Sequence, residues 1–275
     1  MADFSNIAIV AGAGVLPRLL ADAAHHSGTA YHVVAFDGIA PDWVAAHPTI
    51  QVAFEQLGTL FSKLHDAGIT RLVFAGAMAR PALDPARADA GFLKVAPQLM
   101  AALQQGDDAT LRFVVSLFET QGFDVVGAHD LLPELVPPIG ALTSQRADPQ
   151  AQADLSRAAS IVAKLGEADV GQGAVVAGGI CLAVETIGGT DRMLDSVGAL
   201  PAHLRGRGGV LVKAAKPGQD LRIDMPAIGP ETVRHAAAAG LTGIGWTAGE
   251  VLVLERDAVV AAAEEAGMFL QALAP

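Results

Sequence analysis

The sequence predicts an α/β fold in two parts, a parallel-sheet domain followed by a mixed α/β domain. Three observations predict it. Short apolar runs of Val, Ile and Ala alternate with amphipathic stretches through the first 130 residues, which is the pattern of βα units. Glycines and prolines punctuate the joins. The 275-residue chain is 52% hydrophobic but only 5% aromatic, with 30 glycines, a composition in which small side chains let helices lie close on sheets.

Taken in order, "NIAIVA" reads as a buried strand and "PRLLADAAHHSG" as a helix with Pro17 at its start and Gly28 at its end. "YHVVAF" and "IQVAF" are the second and third strands, and "LGTLFSKLHDAG" is an amphipathic helix ending in Gly68. "RLVFAGA" is a fourth strand, "KVAPQLMAALQQG" and "DDATLRFVVSLFETQG" are paired helices, and "FDVVGA" is a fifth strand. Short links between strand and helix imply crossovers and a parallel, Rossmann-like sheet.

Residues 131–149 hold Pro133, Pro137, Pro138 and Pro149 and read as a stiff linker between a first domain, 1–130, and a second, 150–275. In the second, "QAQADLSRAASIVAKLG" is a helix and "AVVAGGICLAVE" a hairpin turning at Gly178 and Gly179. "TDRMLDSVGAL" is a short helix capped by Thr190. "GVLVKAA" and "LRIDM" are strands, "PETVRHAAAAG" is a helix, and "EVLVLE" and "DAVVAAAEEAG" finish the domain.

The bulk chemistry narrows the function classes. With 18 Lys and Arg against 29 Asp and Glu, the net charge is −11, the wrong sign for nonspecific nucleic-acid binding. A local cationic cluster can still receive a phosphorylated small molecule. One cysteine, Cys181, cannot form an internal disulfide and reads as a small core hydrophobe in a reducing compartment. The N-terminus carries Asp3 and no basic run, and no uncharged apolar stretch is long enough to span a bilayer. A cytoplasmic protein is expected, with peripheral membrane contact left open.

Several motifs sit where ligands are held. "AGAGVLP" joins the first strand to the first helix, so Gly12 and Gly14 suit a phosphate-receiving turn, or simply a tight one. Pro17 replaces the third glycine of the dinucleotide fingerprint, although Asp37, ending the second strand, matches its ribose acid. Gly76 and Arg80 in "FAGAMARP" and His129 in "GAHD" follow the fourth and fifth strands at the same sheet edge. Asp107 and Asp108 cap a helix. Gln172 lies between Gly171 and Gly173, free to approach a base or sugar. Thr190 and Asp191 open a helix, either as caps or as phosphate or metal contacts.

"KAAKPGQDLRIDMPAIGPET", residues 213–232, concentrates Lys213, Lys216 and Arg222 beside Asp220 and Asp224. A rigid Pro and Gly turn then enters a helix N-terminus, an anion-receptive backbone beside cations and a carboxylate. That set suits a phosphate ester with Mg²⁺, the cations neutralising oxygens while the acid holds metal or activates water.

"AGAGVLP", "FAGAMARP", "GDDATLR", "GAHD", "DVGQGAVV", "AVETIGGTDRML" and "KAAKPGQDLRIDMPAIG" occur in this order over almost the whole chain. Together they resemble the LpxI-type UDP-2,3-diacylglucosamine pyrophosphatases of lipid A biosynthesis. The resemblance implies two α/β domains with substrate between them. It implies hydrolysis of the UDP-lipid to UMP and 2,3-diacylglucosamine 1-phosphate (lipid X), with Mg²⁺ and with attack at the sugar-side phosphorus. The family's essential aspartate matches Asp224, a Mg²⁺ ligand or the base that positions water, and Asp191 is a second candidate metal ligand. Substrate contacts would fall on Gly12, Gly76, His129, Gly171, Gln172, Thr190, Lys213, Lys216 and Arg222. Ala77 stands where the family carries a polar residue, and no role passes to it.

Two other readings come from different classes. The first βα turn and Asp37 support an NAD(P)-dependent oxidoreductase, against which Pro17 counts. A non-catalytic UDP-lipid binding protein predicts tight binding without turnover. Oligomeric state is not written in the sequence.

Overall fold

The computed structural model describes residues 3–38, 40–78, 83–105, 107–206 and 208–275, with backbone only at 107 and 108. The chain divides into two compact units, Met1–Pro133 with Arg222–Asp224, and Glu134–Leu221 with Met225–Pro275.

The first unit runs β1 (Ile7–Ala11), α1 (Leu16–Ser27), β2 (Tyr31–Phe36), β3 (Thr49–Val52), α2 (Leu57–Asp66), β4 (Arg71–Ala75), α3 (Ala90–Gln104), α4 (Asp107–Thr120), β5 (Asp124–Val126) and α5 (Ala128–Leu131). All five residues of β1 are buried, as a central strand covered on both faces requires. Pro17 sits in the first turn of α1, and Gly28 ends it at φ 69°, the left-handed stop that glycine adopts without strain. The sheet order is β3-β2-β1-β4-β5, and each neighbouring pair is parallel. The order reverses between β1 and β4, so the switch point of this open sheet lies beyond Ala11 and Ala75. Val10, Val34, Leu60, Leu72, Phe118 and Phe123 form its core, and Ile223 packs against them.

The second unit runs β6 (Gly140–Ala141), α6 (Pro149–Glu167), β7 (Gly173–Ala177), β8 (Ile180–Val184), α7 (Gly189–Gly198), α8 (Ala202–Arg205), β9 (Val210–Lys213), β10 (Ala227–Ile228), α9 (Pro230–Ala238), β11 (Gly243–Thr247), β12 (Leu252–Val253), α10 (Arg256–Glu265) and β13 (Phe269–Leu273). Its six-stranded sheet has the order β6-β13-β11-β9-β7-β8. β13, β11 and β9 are parallel, while β6, β7 and β8 join antiparallel. β10 and β12 pair separately. Strand alternation divides the core: Val210 and Val212 face α6, whereas Leu211 joins Trp246 and α7 on the other side. Lys213 shares the parity of Leu211, so it points toward α7.

Four expectations change. "LRIDM" is a turn, because Ile223 goes to the first unit's core instead of pairing with the second sheet. β11 and β13 are central strands absent from the sequence reading. Gly140–Ala141 adds an edge strand within the proline-rich stretch. Cys181 is exposed, because β8 is the sheet's open edge and Ile180 beside it is also exposed.

Candidate active site

At the switch point, the chain leaving β1 crosses the chain leaving β4. Gly12 N–H donates to Ala75 O at 2.7 Å, and Ala13 and Ala77 exchange two backbone bonds of 2.7 and 3.0 Å. A Cβ on Gly12 would lie 2.6 Å from Ala77 O, and one on Gly76 would lie 2.2 Å from Ala13 O. Both glycines are therefore dictated by this crossing, and the Gly12 N–H is already used. Gly14, at φ 96°, is exposed beside them.

His129 follows β5, the neighbour of β4, and its ring lies over Gly127, where a Cβ would stand 2.4 Å from Cε1. Its Nε2 is 3.7 Å from Asp130 Oδ1, and its Nδ1 is buried with no hydrogen-bond partner among the described residues. Asp37 is engaged: Arg87 and Gln51 bond its carboxylate and hold it below the usual range. The acid expected at a ribose is thus committed to an arginine. Arg80 lies outside the described residues, as do the side chains of Asp107 and Asp108.

In the second unit the site residues converge more tightly. Lys213 is 6% exposed. Its Nζ donates to Thr190 Oγ1 at 2.8 Å and to Ala227 O at 3.2 Å, and stands 3.9 Å from Glu185 Oε2. Thr190 in turn donates to Glu185 Oε2 at 3.2 Å. Thr190 is therefore no cap. Gly188 holds the cap position of α7 without a side-chain bond, and the Thr190 hydroxyl turns to the buried pair. Gly171 is buried against Glu185, with a Cβ there 2.1 Å from Glu185 O. Half-buried Gln172 accepts Ala214 N–H through its backbone carbonyl. Asp191 is exposed in the first turn of α7, where an acid complements the helix dipole.

The other two cations are paired. Lys216 Nζ meets Asp169 Oδ1 at 2.6 Å. Arg222, grouped with the first unit, donates to Glu119 Oε1 at 2.9 Å and Val125 O at 3.4 Å. Asp224 is half-buried and belongs to the same group. Among the described residues, no set of three or more His, Cys, Asp or Glu could by itself hold a metal. Mg²⁺ asks for less, as few as one carboxylate with substrate phosphate and water completing its shell, and Asp224 and Asp191 are each a hard oxygen donor of the kind it takes.

Sequence reasoning missed Glu185, Asp169 and Glu119. Glu185 had one signal, an acid directly following an apolar strand run, which occurs at many strand ends.

Residues 6–135 match the family model of the LpxI N-terminal domain, and residues 138–271 match that of the LpxI C-terminal domain. A protein of Caulobacter vibrioides named UDP-2,3-diacylglucosamine pyrophosphatase LpxI is 40% identical over 274 residues, covering 98% of each chain.

Proposed function

The chain belongs to the LpxI family, and from that premise we propose that it is a UDP-2,3-diacylglucosamine pyrophosphatase. Its products are UMP and 2,3-diacylglucosamine 1-phosphate. The observation that carries this reading is the end-to-end likeness to a pyrophosphatase of that substrate, which spans both units. The geometry supports it through Lys213, a buried cation at the end of β9 with the Thr190 hydroxyl at 2.8 Å. Such a held cation suits the oxygens of a diphosphate.

In the mechanism, Asp224 positions water against the sugar-side phosphorus and takes its proton as the new P–O bond forms. The bond from that phosphorus to the bridging oxygen breaks, and UMP leaves with the electron pair. Lys213 offsets the charge gathered on the diphosphate. Lys216 and Arg222 are proposed contacts to phosphate through donors beyond those given to Asp169 and Glu119. Gly12, Gly76, His129, Gly171, Gln172 and Thr190 are proposed substrate contacts. Mg²⁺, held by Asp224 with Asp191 as second candidate, would neutralise diphosphate charge and polarise the phosphoryl group. No helix among the described residues is long and apolar enough to cross a membrane. Because two acyl chains keep the substrate in a bilayer, we place the encounter at the cytoplasmic surface of the inner membrane.

The test is product analysis with UDP-2,3-diacylglucosamine, for wild type and Asp224→Ala, each with Mg²⁺ and with chelator, in ¹⁸O-labelled water. UMP and lipid 1-phosphate appear with wild type and Mg²⁺, the label enters the lipid phosphate, and Asp224→Ala loses a factor on the order of 10² or more. Binding of the UDP-lipid without turnover would leave a carrier instead, and label in UMP would move the attack to the other phosphorus.

A further inference from the structure

The second unit's motif residues meet at a side chain that the motifs leave without a role. Glu185 lies one residue past β8, its side chain only 14% exposed, against that of buried Lys213. Its Oε2 receives the Thr190 proton at 3.2 Å. Because Lys213 donates to the same hydroxyl at 2.8 Å, the direction of both bonds is fixed: ammonium to hydroxyl, hydroxyl to carboxylate. The backbone closes round this group. Glu185 N–H donates to Gly173 O at 2.8 Å. A Cβ on Gly173 would stand 2.6 Å from Glu185 Oε2, and one on Gly171 would stand 2.1 Å from Glu185 O. The glycines of "GQG" thus make room for a glutamate, a tighter constraint than the approach of a base or sugar.

Stability is a poor reason for this arrangement. A buried ion pair generally does no better than well-packed apolar residues of the same volume, since desolvation offsets the attraction. Losing one partner, in contrast, leaves the other charge uncompensated. The network does achieve a fixed position for one ammonium and one hydroxyl at the end of a strand and the start of a helix.

We propose that Glu185 is a positioning residue that, through the Thr190 hydroxyl, orients Lys213 toward the substrate's diphosphate without touching substrate itself. This rests on the reading that Lys213 faces the diphosphate. Glu185 sets the rotamer of Lys213 and consumes the Thr190 proton, so the cation is presented in one place rather than sampled among several. Preorganised charge of this kind acts on the transition state more than on ground-state binding.

A double-mutant cycle on the full-length protein tests it, with wild type, Glu185→Gln, Lys213→Met and the double variant assayed with Mg²⁺, alongside thermal unfolding. Glu185→Gln preserves size and an acceptor for Thr190 while removing the charge. It is expected to lower kcat on the order of tenfold with KM changed less than about threefold. Its melting temperature is expected to fall, because the buried Lys213 ammonium loses its counter-charge, so activity is compared well below the unfolding transition of every variant. In the Lys213→Met background the same change costs nothing further, the coupling expected of groups that act as one. Glu185→Asp, which retains the charge but retracts it by one methylene, recovers part of the loss, and it replaces Glu185→Gln in the cycle should that variant not fold. Full activity in Glu185→Gln, or equal factors in both Lys213 backgrounds, overturns the proposal. Undiminished turnover by Lys213→Met removes the premise and the proposal with it. If wild type leaves UDP-2,3-diacylglucosamine intact, the pyrophosphatase reading falls on its own. The order of the Lys213 ammonium, read by NMR relaxation in wild type and Glu185→Gln, then decides Glu185: equal order in both overturns the proposal, and order lost in the variant upholds it.

Discussion

A missing methyl group governs how closely β11 is approached. A Cβ on Gly243 would lie 2.3 Å from the Phe269 ring, and one on Gly245 would lie 2.5 Å from Leu155 Cδ2. The aromatic ring and the α6 leucine occupy the volume that those side chains would take. Gly243→Ala is therefore expected to destabilise the protein by about 1–3 kcal/mol, the usual effect of overpacking a core, read as a lower urea midpoint. An unchanged midpoint would mean that Phe269 yields freely. These glycines also explain why β11 was not legible. Glycine inside an apolar run signals a loop or a close approach, and one sequence cannot say which. Lys213 and Thr190 stood out in the sequence as candidates from their place beside other polar groups. Glu185 did not, because its significance lies in contacts to Gly171, Gly173, Thr190 and Lys213, which the fold alone brings together.

Buried or half-buried carboxylates join neighbouring elements in both units. Asp154, on α6 and 2% exposed, accepts the N–H of Gly178 at 2.9 Å and of Gly179 at 2.7 Å. Those two residues take φ of 56° and 78°, the left-handed pair that a tight two-residue hairpin requires, so the hairpin read from "GG" is held by an acid far away in sequence. Asp89 does comparable work in the first unit. It caps α3 through Phe92 N–H at 2.8 Å and receives Gly58 N–H and the N–H and hydroxyl of Thr59 at the start of α2. Burial pushes its carboxyl up, but the bonds from Phe92, Thr59 and Gly58 outweigh that and hold it below the ordinary value of 3.8. A carboxylate depressed on folding stabilises the native state above its unfolded pKa, and that contribution fades as pH falls through the folded one. Asp89→Ala should cost about 2 kcal/mol at neutral pH, and its urea stability should approach that of wild type as pH falls progressively below the ordinary carboxylate value of 3.8. A gap independent of pH would show that the ionised form contributes nothing. The α2 and α3 periodicities were readable from sequence, but their shared carboxylate was not, since Asp89 is separated from Thr59 by 30 positions.

Each unit has its own core, which makes independent unfolding the natural expectation for the whole molecule. The chain has two tryptophans. Trp246 is fully buried in the second unit, so Trp43→Phe leaves a fluorophore that follows that unit alone. In urea its emission should change in one sigmoid, while far-UV dichroism, which reads both units, changes over a wider range. Coincident curves would establish a single cooperative molecule. Arg222–Asp224 are encoded with the second half but belong to the first unit, where Ile223 packs on the core and Arg222 bonds Glu119. The polypeptide thus changes unit after residues 133, 221 and 224. For a lineage this means that a crossover near codon 133 is not a clean exchange of modules. A hybrid would inherit Asp224 from one parent and the surface that seats its neighbours from the other, so the two halves are expected to descend together.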